Sequence, residues 1–368
     1  MKTPTILLIS VLLFFASCKK DDDAPSENPP PTPELYFPEI TIGQWDSITP
    51  AEAGWNEAAL PEFYDFMEAN GSRAFIVLKE GKIVIEKYWG TNVLNTAPFT
   101  AESNWYWASA GKTLTAMLTG IAQSEGMLDI NDKTADYLGQ GWTSAPAEKE
   151  DLILIRHQLT MTTGLDFTNG SLDCTDPECL EYKSDAGTEW YYYNAPYTLL
   201  ESVISAASQM AYNDFTDQKL EEKIGMAGTW LPVGENNVYW STARDAARFG
   251  LLLLNEGVWA SDSVLADPNY FSAMTNTSQD YNQSYGYLTW LNGKESIIYP
   301  GLTFPFNIPL SQNAPADMYA AMGKNGQFIN VVPSKKMVVI RMGQSPDGEF
   351  VPMAFHDEMW ERLNEIIE

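Results

Sequence analysis

The spacing of apolar positions changes several times along the chain, and each change predicts an element. From Leu60 to Asn70 the apolar residues recur at helical spacing. Arg73 to Trp89 holds two β-rich runs around Glu80-Gly81, which predicts a hairpin. Ser109 to Gly126 is apolar-rich at helical spacing, and Ala243 to Asn255 forms another such stretch with Gly257 as its stop. Between them, from about Asp129 to Gly228, helical segments alternate with loops and strand signals are few. Phe328 to Pro333 and Met337 to Met342 read as a second strand pair, followed by an amphipathic helix from about Met353 to Ile367. Strands clustered at the two ends and joined by hairpins predict an α/β (α+β) fold. Its antiparallel sheet is flanked by helices, and a helical lobe spans about 129–228.

The first residues change the picture of where the chain works. Lys2, an apolar run from Thr5 to Ala16 and small residues before Cys18 read as a secretory signal over 1–17, too short to span a membrane. Ala16-Ser17-Cys18 resembles the lipobox of bacterial lipoproteins, with Phe15 in place of the usual Leu. The following Lys19-Lys20-Asp21-Asp22-Asp23 resembles the acidic surface-export signal of Bacteroidetes lipoproteins. The expectation is an outer-membrane lipoprotein, periplasmic or surface-exposed, lipidated at Cys18. Residues 18–34 carry almost nothing to bury and read as a disordered tether. The folded part, 35–368, exceeds 300 residues, enough for two lobes.

Cys174 and Cys179 remain as a local pair, and an oxidising compartment favours a disulfide between them. Neither a second Cys pair nor a nearby His offers a metal site, and no metal or cofactor is expected. The net charge of −27 argues against nucleic acid as a partner. The membrane is expected to be met only through the lipid, and nothing implies an obligate protein partner.

Three short patterns could carry chemistry. In Ser109-Ala110-Gly111-Lys112, residues three apart share a helix face, so the lysine can reach the serine hydroxyl. A desolvated lysine can take the proton that makes serine a nucleophile. Lowering a lysine from ~10.4 to ~7 costs roughly 4 kcal/mol, within reach of burial. The same spacing occurs at Ser17 to Lys20, so the pattern needs company. The second pattern is Tyr192-Tyr193-Asn194, which is either aromatic packing or a phenol placed beside a cation. The third is Gly323-Lys324-Asn325-Gly326-Gln327 before a strand, either a plain turn or a backbone that approaches a ligand. With only His157 and His356, and no Gly-x-Ser-x-Gly elbow, a Ser-His-Asp hydrolase is disfavoured, as are zinc and nucleotide classes.

Ser-x-x-Lys, Tyr-x-Asn and Lys-x-Gly in this order resemble the serine β-lactamase and penicillin-binding-protein superfamily, in its class C and esterase-like branch. Thr119 to Asp132, Arg156-His-Gln-Leu-Thr-Met-Thr-Thr-Gly-Leu165, Lys223 to Thr229 and Ser241 to Gly250 match that family's elements as well, so the likeness covers about Trp55 to Met342. It implies Ser109 as acylated nucleophile, Lys112 as the group that takes or shares its proton, and Tyr192 as base in acylation and deacylation. It further implies Asn194 bonding substrate or Lys112, and Lys324 favouring a substrate carboxylate or holding the tyrosine's charge. Gly326 and Gln327 belong to the oxyanion side, with the N–H groups of Ser109 and Gln327 as donors. Asn325 stands where the family has Thr or Ser, and Gly323-x-x-Gly326-Gln327 looks like the branch of carboxylesterases and aminohexanoate-oligomer hydrolases. His157 reads as a loop anchor and Trp105 to Trp107 as packing under the nucleophile. The resulting expectation is a lipid-anchored serine hydrolase acting on a small ester, amide or peptide-like molecule. A β-lactamase or D,D-peptidase, and a non-catalytic peptidoglycan-binding protein, are the alternatives.

Overall fold

A two-residue turn closes the first predicted hairpin. In the computed structural model, which describes residues 35–41, 44–346, 348 and 351–368, Glu80 and Gly81 have φ of 51° and 85° between β1 (Ser72–Lys79) and β2 (Lys82–Tyr88). Two left-handed residues give the turn a twist that matches the strands. The signal segment 1–17, Cys18 and the tether through residue 34 lie outside the described residues.

The remaining strands are β3 (Trp105–Tyr106), β4 (Gly228–Val233), β5 (Asn236–Ser241), β6 (Trp290–Leu291), β7 (Tyr319–Gly323), β8 (Gln327–Val332) and β9 (Met337–Gly343). A further short ladder pairs Val258–Trp259 with Asp262–Ser263. The main sheet runs β2-β1-β9-β8-β7-β6 and its neighbours are antiparallel. The first hairpin therefore pairs with the last strand, as in Ile76 opposite Ile340. Sequence reading missed β6, β7 and the small sheet β3-β5-β4. These strands are short or carry turn-like residues such as Pro232, Asn236 and Asn237, which hide the alternation.

Both sheet faces are covered. Helix α1 (Leu60–Ala69) packs with α4 (Met353–Ile367), whose Phe355 and His356 rings meet Phe328 of β8. On the other face lies α3 (Ala243–Leu254), started by a reciprocal cap between Thr242 and Asp245. Helix α2 (Gly111–Ser124) is buried from Gly111 to Ala122, the signature of a central rather than an amphipathic helix. Its buried threonines find partners: Thr113 donates to the Leu288 carbonyl across the fold at 2.9 Å, and Thr119 to that of Thr115 one turn back at 2.8 Å.

Between residues 129 and 228 the chain forms short helices, as expected. Part of this stretch has its own small core of Ala135, Trp142, Ile153, Leu165, Leu180, Tyr193 and Ala195. Leu200, Val203, Ile204 and Phe215 instead join the main core, so the lobe is fused to the sheet layer.

Helix α3 meets the sheet at a glycine: a Cβ on Gly250 would lie 2.4 Å from Val338 Cγ1 and 3.2 Å from Ile329 Cγ2. Gly250→Ala should destabilise the protein by about 1–3 kcal/mol despite the better helix propensity, read as a lower midpoint in denaturant unfolding.

Candidate active site

Ser109 lies in a single 3-10 turn, Ala108–Ala110, that runs directly into α2. Ala108 has φ 49°, a conformation that costs a non-glycine residue about 1–3 kcal/mol and tends to persist where function needs it. Trp105 and Trp107 are buried beneath the turn, and Trp107 Nε1 donates to Ser241 Oγ at 2.9 Å.

Lys112 follows one turn later and is 3% exposed. Its Nζ donates to Ser109 Oγ at 3.1 Å. It also stands 4.2 Å from the Tyr197 ring centroid and 4.9 Å from that of Tyr192. Burial drives its proton affinity down to about 7 from an ordinary 10.5, and the Asp173 carboxylate opposes the shift. The amine is thus poised between its charged and neutral forms at physiological pH.

The Tyr192 hydroxyl is close enough to the Ser109 hydroxyl to feel it electrostatically. Burial raises this phenol above its ordinary 10, and the nearness of Ser109 only partly offsets that. Its ring is stacked on Trp290 with centroids 5.8 Å apart and meets Tyr285 edge-on. At neutral pH this tyrosine is a protonated phenol.

Asn194 opens the short helix Asn194–Thr198. Its Nδ2 donates to Asp173 Oδ1 at 2.6 Å, while its buried Oδ1 takes no partner among the described residues. The Leu172 carbonyl accepts the next amide, that of Ala195, at 2.9 Å. Residues 172–173 therefore hold the Tyr-x-Asn segment in place, and the disulfide between Cys174 and Cys179 fixes the adjoining loop.

The third pattern sits on the β7–β8 hairpin. A Cβ on Gly323 would fall 2.4 Å from the Trp107 carbonyl oxygen and 3.1 Å from Ser109 N, so only glycine lets this strand end lie against the nucleophile. Asn325 and Gly326 follow with φ of 63° and 77°, and Asn325 Nδ2 donates to the Tyr106 hydroxyl at 2.7 Å. Lys324 is exposed. Gln327 follows the turn. It lies on β8 opposite Gly323, and its buried amide donates to the Gly343 carbonyl at 2.7 Å and accepts from Gly343 N at 3.0 Å. The backbone that approaches Ser109 N is that of Gly323, one strand nearer.

His157 is an anchor, its Nδ1 accepting from Leu154 N at 3.0 Å and its proton affinity lowered by burial to about 4. No cluster of three or more metal-ligating side chains occurs among the described residues. Sequence reasoning passed over Tyr197, Asp173 and Gly323 as site residues. Gly323 was signalled by its spacing to Gly326, whereas Asp173 and Tyr197 become visible only when the loop and helix fold onto Lys112.

The beta-lactamase family model matches residues 65–356. No curated protein matches the sequence. Among solved structures, a Bacillus anthracis protein provisionally described as a 6-aminohexanoate-dimer hydrolase superposes with a TM-score of 0.66 at 14% identity, covering 90% of this chain and 89% of its own. A Bacteroides dorei DSM 17855 protein, provisionally described as a beta-lactamase, gives 0.66 at 16% identity over 84% of this chain and 98% of its own. A penicillin-binding-protein homologue from Caulobacter crescentus gives 0.63 at 13% identity over 83% and 96%. Identities this low speak for the fold alone. Together with the family match over most of the chain, they place it: the protein belongs to the beta-lactamase family, whose fold is that of serine hydrolases and acyl-transferases.

Proposed function

We propose that this protein is a serine hydrolase that cleaves an ester or amide of a small substrate through an acyl-enzyme on Ser109. The observation that carries this reading is the buried Lys112 amine, 3.1 Å from the Ser109 hydroxyl and held near neutrality. In its neutral form the amine takes the proton as Ser109 Oγ attacks the acyl carbon. Tyr192, a neutral phenol, donates a hydrogen bond to the reacting oxygen and passes a proton on to the departing alcohol or amine, to be resupplied from Lys112. The two groups titrate as one unit. The oxyanion falls between the Ser109 N–H and the amide that directly follows Gly323, that of Lys324. In the second half-reaction water attacks the acyl carbon and loses its proton to neutral Lys112, while Tyr192 passes its proton to Ser109 Oγ, which leaves as the free hydroxyl, and is reprotonated from Lys112.

Asn325 favours an ester or amide over a β-lactam. Its amide is committed to Tyr106, so it offers no hydroxyl where penicillin-recognising relatives carry Thr or Ser. We also propose that the mature chain is tethered to the bacterial cell envelope through a lipid on Cys18.

Ser109→Ala should abolish turnover of short p-nitrophenyl esters, and a fluorophosphonate should add a single mass to the unaltered chain, mapping to Ser109. The melting temperature should barely change. Turnover that survives the substitution would mean another nucleophile.

The pH dependence follows from Lys112. As the amine must be neutral to act, kcat/KM should rise about tenfold per unit below pH 7 and level off above it. Stability runs with the same sign. The folded amine titrates near 7 and the unfolded one near 10.5, so between these values the unfolded chain binds more protons, and Lys112 penalises folding less as pH rises. Lys112→Met should therefore lose activity and yet gain on the order of 2 kcal/mol at pH 7, measured by chemical denaturation.

A further inference from the structure

Behind the β7–β8 turn lies a buried cation that none of the steps above uses. Arg341 of β9 is fully buried, on the sheet face that α4 covers, with its guanidinium 4.9 Å from the Phe355 ring centroid. Nε donates to Ser72 Oγ at 3.1 Å. Nη2 donates to the carbonyls of Asn70 at 2.9 Å and Gln344 at 2.7 Å. Nη1 donates to the carbonyls of Asn325 at 2.6 Å and Gly326 at 3.1 Å. A guanidinium has five N–H donors, so all are spent, and every acceptor is a neutral oxygen.

A buried charge without a carboxylate against it is costly to keep, and an apolar side chain of similar size would be easier to accommodate. The two carbonyls on Nη1 belong to consecutive left-handed residues, Asn325 and Gly326, the pair that such a hairpin turn favours. That turn begins at Gly323, the backbone pressed against Ser109 N, and is closed by Gly326 N donating to the Gly323 carbonyl at 3.2 Å. A Cβ on Gly326 would meet Nη1 at 2.7 Å, so the contact is close-packed.

We propose that Arg341 is a positioning residue for the oxyanion site. Its Nη1 locks the Lys324–Gly326 turn so that the amide after Gly323 stays aligned beside the Ser109 N–H. Its unit charge, uncancelled by the acceptors it holds, lies behind that amide and favours the negative charge of the tetrahedral intermediate. Low local dielectric makes such a fixed charge effective, and peptide groups hydrogen-bonded in series polarise one another. The inference rests on the Ser109 acyl-enzyme reading. It adds that the interaction strengthens as negative charge develops, so it acts on kcat rather than on substrate binding.

The test is steady-state kinetics with a short p-nitrophenyl ester on Arg341→Lys, with rates expressed per fluorophosphonate-reactive site. Lysine keeps the charge but cannot hold both turn carbonyls and three other acceptors in the same fork. The expected result is a kcat at least fivefold lower with KM within threefold of the parent. Gly326→Ala, which drives a methyl against Nη1 without touching the charge, is the second variant and should show the same split if the lysine variant fails to fold. A kcat within fivefold of the parent, or a loss carried by KM, would overturn the proposal. Failure of the underlying reading looks different, since the unaltered chain would then take no phosphonyl adduct at Ser109.

Discussion

Burial of a lysine amine against a serine hydroxyl is the constraint around which the rest of this molecule is arranged. An amine left in water at pH 7 is almost wholly protonated and cannot serve as a base. Enclosing Lys112 in the first turn of a helix that is buried on all sides removes hydration from the charged form and brings the two forms into balance. That enclosure requires an aromatic wall, which Tyr192 and Tyr197 supply, and those rings come from the helical lobe rather than from the sheet. The fusion of the lobe to the main core is therefore a condition for the chemistry, because a mobile lobe would admit water and return the lysine to its ordinary state.

The serine is held by a second set of constraints, all in the backbone. A left-handed alanine, a glycine pressed against Ser109 N and a turn with two successive left-handed residues meet within a few residues of the nucleophile. The left-handed alanine is a local cost that surrounding structure must cover, and the glycine and the turn leave little room for any other arrangement. The covering is visible: two buried tryptophans under the serine turn and five bonds from one guanidinium behind the hairpin turn. Constraint of this kind fixes direction, so the amide hydrogens that face a developing oxyanion need not reorganise when charge appears.

How far the sequence foretold this differs by element. The hairpin at Glu80-Gly81, the long helices and the terminal strand pair were legible because periodicity over many residues reports burial directly. Ser109 and Lys112 were legible because helix geometry links positions three apart. Strands β3 and β6 are too brief to show a period, β7 is buried on both faces and shows no alternation, and their pairing depends on residues far away in the chain. Gln327 illustrates the limit of motif reading. The motif named its backbone N–H as an oxyanion donor, but only the register of β8 reveals that its side chain enters the sheet interior and that Gly323 lies against the serine. The partner that Asn194 Nδ2 finds, Asp173, is set by a loop next to the disulfide whose path the sequence does not specify.

The same low dielectric acts on two cations near Ser109 with opposite results, and their side-chain chemistry explains why. Burial brings Lys112 to about 7, where it can lose its proton and act as a base. Burial lowers Arg341 as well, but only to about 9, so it stays charged throughout the neutral range. Guanidinium begins from a much higher affinity and spreads its charge over a planar fork that five oxygens can satisfy. A lysine in the place of Arg341 could not reach five oxygens from one point charge and would lose the clamp. An arginine in the place of Lys112 would never release its proton to become a base. Identical burial thus yields a titrating group beside the nucleophile and a permanent charge behind the oxyanion turn, and the choice of residue type at each position makes the two roles separable.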